Sequence, residues 1–322
     1  MSGRSNGELG QVKPRRRGVT EDHSGLEVGR RRVLHPGPLR WLRASGWMLA
    51  LFVVFMLIYA GAQVIESPLS SKAGHGAGVL GVAAVCLAGL ALYAGVVRLG
   101  EGRWPEELSL RQAPLELVLG LLIGALMLSA AVGGLYALGV YEISGPRPAS
   151  AWSTLAMAIE SGVMEELLMR AIVLRLLMRA FGVWPALALQ AVLFGAMHLA
   201  NPNATTTAAV AIAIEAGLML AGFYLLTGRL WMSIGVHAAW NFTQGWIWGA
   251  SVSGIPVKES WLVSSPKPGA PEFLSGGAFG PEASLPAMVV GTSVAVVVLW
   301  MAWRKGMFVT RPDQAPEAVT AG

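Results

Sequence analysis

Two adjacent acids, Glu165 and Glu166, stand inside the apolar run SGVMEELLMRAIVLRLL, with Arg170 one helical turn further on. An ionisable side chain in a membrane interior costs about 2.5–3.5 kcal/mol on insertion scales, so it marks a working site by default. Two later apolar runs carry His198 (in LFGAMHLAN) and His237 (in GVHAAWNF). Carboxylates and imidazoles together can hold a water molecule and move its protons, which is hydrolytic chemistry.

Glu166 and Arg170 are four apart, so on a helix they share a face and can pair. Glu165 is rotated from Glu166 by about 100°. A buried cation would offset the desolvation of one carboxylate and leave the other free to handle a proton; spacing does not say which is which. His237 and Asn241 also lie one turn apart, and a ring N–H with an amide aimed at one oxygen is the equipment of an oxyanion hole. Glu165 with His198 could position and deprotonate a water. The same atoms permit a second arrangement: Glu165, His198 and His237 around a divalent metal such as zinc, with water at the open position. The soluble metalloprotease signature HExxH is absent, and both arrangements stay open. Glu215, alone in its apolar run, either lines the same cavity or is a hydrogen-bonded buried acid.

These groups need a frame, and composition names it. The chain is 54% hydrophobic and 13% charged, with a mean hydropathy of +0.56, against roughly 25% charged residues in a soluble domain. This is an all-α polytopic membrane protein. Runs of span length occur at Trp47–Ile65, Ala77–Val97, Leu115–Leu138, Trp152–Met178, Trp184–Ala200, Thr207–Leu226, Trp231–Ala250 and Leu285–Trp303, eight in all. The fourth is interrupted by charge and the fifth is short, which suggests that both face protein or water rather than lipid. Arg98, Arg103, Arg111, Arg175, Arg179, Arg229, Arg304 and Lys305 gather in alternate connections, so both termini are expected in the cytoplasm. Tryptophans at 41, 47, 104, 152, 184, 231, 300 and 303 fit an interfacial belt.

The expected division is a disordered basic tail over 1–44, a membrane domain over 45–305 and a disordered tail over 306–322. Met1–Arg43 holds ten Lys or Arg against four acids, which reads as an orientation signal rather than a nucleic-acid site. The stretch from Ser251 to Pro286, rich in Gly, Pro and Ser, reads as an irregular external loop. The single Cys86 lies in an apolar run and can form no internal disulfide. One tension is visible: His237 lies about six residues inside from Trp231 and His198 about fourteen from Trp184, a depth difference of roughly 12 Å at ~1.5 Å per residue. Tilt, or a fifth helix that starts late, must close it.

Three motifs, one in each of three spans, carry a resemblance. Glu165-Glu166-Leu-Leu-Met-Arg170, Phe194-Gly-Ala-Met-His198 and His237-Ala-Ala-Trp-Asn241 resemble the EExxxR, FxxxH and HxxxN/D motifs of the CPBP family, the intramembrane CAAX proteases and bacteriocin-processing enzymes. The likeness covers about residues 101–254. It departs at Met169 and Ala171, where members often have Phe and Gly, which alters packing rather than reacting groups. It implies an intramembrane endopeptidase on membrane-associated or lipidated protein or peptide substrates in the cell membrane. Glu165 and His198 would activate the water, His237 and Asn241 would stabilise the oxyanion, and Glu166, Arg170 and Phe194 would support them. Two rivals come from other classes: a proton-coupled transporter using the Glu–His set as a relay, which the absence of an internal repeat weakens, and a non-catalytic membrane scaffold.

Overall fold

The computed structural model describes residues 26–308; the expected tails over 1–25 and 309–322 lie outside the described residues. Helices α1 (Arg40–Ala73), α2 (His75–Val96) and α3 (Ala113–Ala137) lead into α4 (Trp152–Glu160), α5 (Arg175–Phe181) and α6 (Val183–Met197). Helices α7 (Thr206–Ile212), α8 (Leu218–Thr227), α9 (Trp231–Phe242), the short α10 (Glu272–Ser275) and α11 (Leu285–Arg304) follow. The only strands among the described residues are β1 (Tyr141–Ser144) and β2 (Val263–Pro266), paired antiparallel with Tyr141 opposite Pro266. The fold is an all-α membrane bundle.

Among the described residues, six helical stretches are long and apolar enough to cross a bilayer: Arg40–Gly61, His75–Glu101, Ala113–Ala137, Val183–Ala200, Thr206–Thr227 and Leu285–Arg304. The other two expected runs carry Glu165, Glu166, Arg170, His237 and Asn241 and form the interior, while His198 lies near the end of the Val183–Ala200 stretch. The stretch 152–181 is helical throughout, and residues 166–180 are buried without a break. Its middle is not regular α-helix: Ser161–Glu165 and Leu167–Leu174 are wound as π-helix. Ala213–Gly217, between α7 and α8, and Thr243–Ile247, after α9, are π-wound too. Such i→i+5 turns are rare and concentrate at functional sites.

Helices α3 and α9 meet backbone to backbone. Gly120 and Gly124 lie against Gly235 and the backbone of Met232 and Val236, with no room for a methyl group at either α3 position. Small residues four apart permit this close approach in lipid, where packing replaces the hydrophobic effect. The contact fixes the helix that carries His237.

At the end of the bundle nearest α5, charge is gathered rather than displayed. Arg175 donates to Glu101 at 2.9 and 2.7 Å, and Arg103 donates to Glu101 at 2.8 Å and to Glu107 at 2.8 and 2.7 Å. The Tyr93 hydroxyl donates to Glu107, and the Trp47 indole to Glu101 at 3.1 Å. Burial alone would raise the Glu107 carboxyl; the bonds and charge of Arg103 overcome this and hold it below the usual carboxylate range. Arg175 and Arg179 were expected as exposed orientation charges, and both are instead fully buried. Residues within the expected basic tail take part: Leu26, Val28 and Leu34 are buried, Arg175 donates to Val28 O, and Arg179 donates to Leu34 O. Removing one partner of a buried ion pair strands the other, so Arg103→Ala is expected to cost about 3–5 kcal/mol. Thermal unfolding in detergent would register this, and a wild-type transition would show that the cluster contributes nothing.

Six of the eight belt tryptophans are exposed as expected; Trp47 and Trp231 are partly buried and hydrogen-bonded. The Trp231 indole donates to Ser109 O, and Leu230 N donates to Glu107 O. Helix α9 therefore starts against the link formed by residues 102–112. Helix α6 begins at Val183, so a late fifth helix does not close the depth difference.

Candidate active site

The π-wound segment lets neighbouring acids reach one ring. Glu166 Oε1 lies 2.9 Å from His237 Nδ1, and Glu165 Oε2 lies 3.9 Å from His237 Nε2. Glu166 also pairs with Arg170 at 3.1 Å, so it is the joint between the guanidinium and the imidazole. Arg170 reaches further, donating to Ala216 O at 3.0 Å and lying over the Phe194 ring at 4.9 Å. One side chain thus ties the fourth span, α6 and the π turn before α8 together. Both Glu166 and Arg170 are wholly buried.

Glu165 is differently placed. Its Oε1 accepts from the Tyr59 hydroxyl of α1 at 2.9 Å, while its Oε2 is buried with no hydrogen-bond partner. A cavity opens beside it, lined also by Tyr59, Phe194 and His198. The His198 Nδ1 is 2.8 Å from the carbonyl of Phe194. A carbonyl only accepts, so this nitrogen carries the proton and Nε2 keeps its lone pair. The ring is therefore fixed as an acceptor at Nε2.

A second cavity adjoins the first across Phe194 and His198, which line both. His237 and Asn241 line the second cavity, as do Glu215, Ser253 and Glu282. Asn241 donates to Ser161 Oγ at 2.9 Å, and Ser161 donates in turn to Met157 O at 2.9 Å, which fixes the amide one turn from His237. All seven residues singled out from the sequence therefore lie in one contiguous cluster. Glu165 and His198 share one cavity, His198 shares the next with His237 and Asn241, and Phe194 is the partition.

Several members of this cluster had no signal in the sequence. Tyr59 looks like any aromatic in a span, and Ser161 like any small helix residue. Glu282 lies in the supposedly external loop, which turns inward instead: β2 and α10 fasten it, Gly254 N donates to Phe279 O, and the Ser253 N–H donates to Glu282. Glu215 was weighed as a cavity acid or a hydrogen-bonded one; it lines the cavity, and its Oε2 has no partner. Burial pushes the Glu282 carboxyl up to about 7, against hydrogen bonds from Gln244 and Ser253 that pull it down. The folded protein then holds this proton between about pH 4.5 and 7 where the unfolded chain releases it, so stability is greatest below that window and falls on crossing it. The loss is roughly 3 kcal/mol. Glu282→Gln is expected to remove this part of the pH dependence, measured as the wild-type minus variant difference in thermal unfolding at pH 5 and pH 8.

The donor types suit a metal. Both histidines have Nδ1 engaged by an acceptor, as metal-bound imidazoles do, and Glu165 has an oxygen to spare. Their spacing does not close a site: among the described residues, no three His, Cys, Asp or Glu side chains gather closely enough to hold one ion.

Residues 147–243 match the family model of the type II CAAX prenyl endopeptidases, Rce1-like. No curated protein and no solved structure matches the chain. The matched stretch contains every residue of the three motifs and ends two residues past Asn241. Set among the apolar helices of a multi-pass membrane protein, the segment holding this buried polar cluster is the part of the chain that is similar to the Rce1-like CAAX prenyl endopeptidases.

Proposed function

We propose that the protein is an intramembrane endopeptidase that hydrolyses peptide bonds of membrane-associated or lipidated substrates, with both termini on the cytoplasmic side. The observation that carries this reading is the shared partition: Phe194 and His198 stand between a cavity holding Glu165 and one holding His237 and Asn241. Water bound between Glu165 Oε2 and His198 Nε2 donates one proton to each acceptor. As its oxygen attacks the scissile carbonyl, Glu165 takes the proton. The carbonyl oxygen, now negative, accepts from Asn241 and from a protonated Nε2 of His237, whose Nδ1 is held by Glu166. Collapse of the tetrahedral species breaks the C–N bond, and Glu165 returns its proton to the leaving amine. Glu166 holds the His237 ring, and Arg170 holds Glu166. No step above depends on a divalent ion such as zinc, and the spacing of Glu165, His198 and His237 does not close a site for one.

Oxyanion donors are each worth about 2.7–4 kcal/mol of transition-state stabilisation. His237→Ala and Asn241→Ala are therefore expected to lower turnover by ~10²–10³-fold in proteins that still assemble. If both cleaved at the wild-type rate, that pair would have no part in catalysis. Substrates would emerge from membrane-proteome peptides present in wild-type cells and missing from cells carrying Glu165→Ala.

A further inference from the structure

The second cavity contains more acid than hydrolysis needs. Glu215, on the π turn between α7 and α8, is 2% exposed, and its Oε2 has no hydrogen-bond partner. Glu282, on the turn before α11, is also 2% exposed and faces the same space. Gly291 of α11 lies against Glu215, where a larger residue would collide with it. No Lys or Arg among the described residues acts on either carboxylate. Glu282 is met by the His237 ring, Gln244 and Ser253, whereas Glu215 has no cation beside it; an unpaired buried charge is costly, so a cation brought in by a ligand would be favoured there. Apart from His198, His237, Asn241 and Ser253, the rest of the wall is apolar, including Ile212, Met219 and Leu220.

A cavity with greasy sides and an acidic end matches one kind of side chain, an aliphatic stem that ends in a positive charge. A hard metal ion fits less well, because it requires six or more oxygen ligands and these walls supply few. Resting on the endopeptidase reading above, we propose that Glu215 and Glu282 form a specificity pocket for a lysine or arginine side chain of the substrate, seated next to the scissile bond. The placement follows from the shared lining: the pocket that contains these acids also contains His237 and Asn241, so a residue held there has its backbone beside the oxyanion donors.

Two measurements on the full-length protein in liposomes test this. In the first, Nα-acetyl-lysine amide and its uncharged analogue Nα-acetyl-norleucine amide are titrated calorimetrically. Saturable binding of the lysine compound alone is expected, weakened at least tenfold by Glu215→Gln and by Glu282→Gln. In the second, peptides differing only by lysine or norleucine at each position flanking the cleaved bond are compared. Wild type is expected to favour lysine at one position at least tenfold in kcat/KM, and the ratio should fall below twofold in each variant. Cleavage of both peptides at equal rates by wild type, with no lysine binding, overturns the pocket and leaves the endopeptidase reading intact. A lysine preference that persists in both variants overturns the assignment to these carboxylates. Glu215-dependent lysine binding by a protein that cleaves none of the peptides supports the pocket and removes the endopeptidase reading instead.

Discussion

Glu165→Gln is expected to lower peptide hydrolysis by about 10³-fold while leaving the unfolding temperature nearly unchanged. A general base is worth ~10²–10⁴-fold, and an amide cannot take the proton of an attacking water. The fold should tolerate the exchange because Glu165 makes few demands on it. Its one hydrogen bond comes from the Tyr59 hydroxyl, which a glutamine carbonyl can still accept, and its other oxygen stands 3.9 Å from His237 Nε2, beyond hydrogen-bond reach. Single-turnover cleavage of a peptide in liposomes, set beside thermal unfolding, separates the two effects. Activity above a tenth of wild type in the variant would remove Glu165 from the role of base.

The second large effect has the opposite signature. Arg170→Ala is expected to cost about 3–5 kcal/mol of stability, the usual penalty for stranding one member of a buried pair, and to abolish activity in whatever protein remains folded. Its guanidinium is fully buried and engages Glu166, the carbonyl of Ala216 and the face of Phe194 together. Without it, Glu166 would keep only the His237 ring against its buried charge, and that ring would lose its fixed partner. Arg170→Lys should rescue little, because an ammonium cannot span a carboxylate, a carbonyl and an aromatic face in one plane. Expression level and thermal unfolding test the claim; an Arg170→Ala protein of wild-type stability would contradict it.

Much of this was legible in the sequence because intramembrane charge is conspicuous. Glu165, Glu166, Arg170, His198, His237 and Asn241 each break an apolar run at a spacing that implies a partner, and all lie in one cluster. Partners far along the chain left no such trace. Arg175 and Arg179 follow a span and look like orientation charges; only the fold brings Glu101 and the carbonyls of Val28 and Leu34 to them. Glu166 reads as a partner of Arg170 alone because a regular helix turns it away from Glu165. The π winding of the fourth span, to which hydropathy is blind, brings both acids to His237. Glu282 was hidden by its neighbours: a segment of Gly, Pro and Ser reads as solvent-facing, yet β2 pins this one to β1 and turns its end inward.

The glycine seam between α3 and α9 bears on how a polypeptide could enter. Two backbones in direct apposition have no side chains between them to re-pack, so neither can slide or roll without collision. The side of the site bearing His237 and Asn241 is thus held by close backbone packing. Under the endopeptidase reading, a chain would enter from the opposite side, where Tyr59 of α1 meets Glu165 through one hydroxyl hydrogen bond.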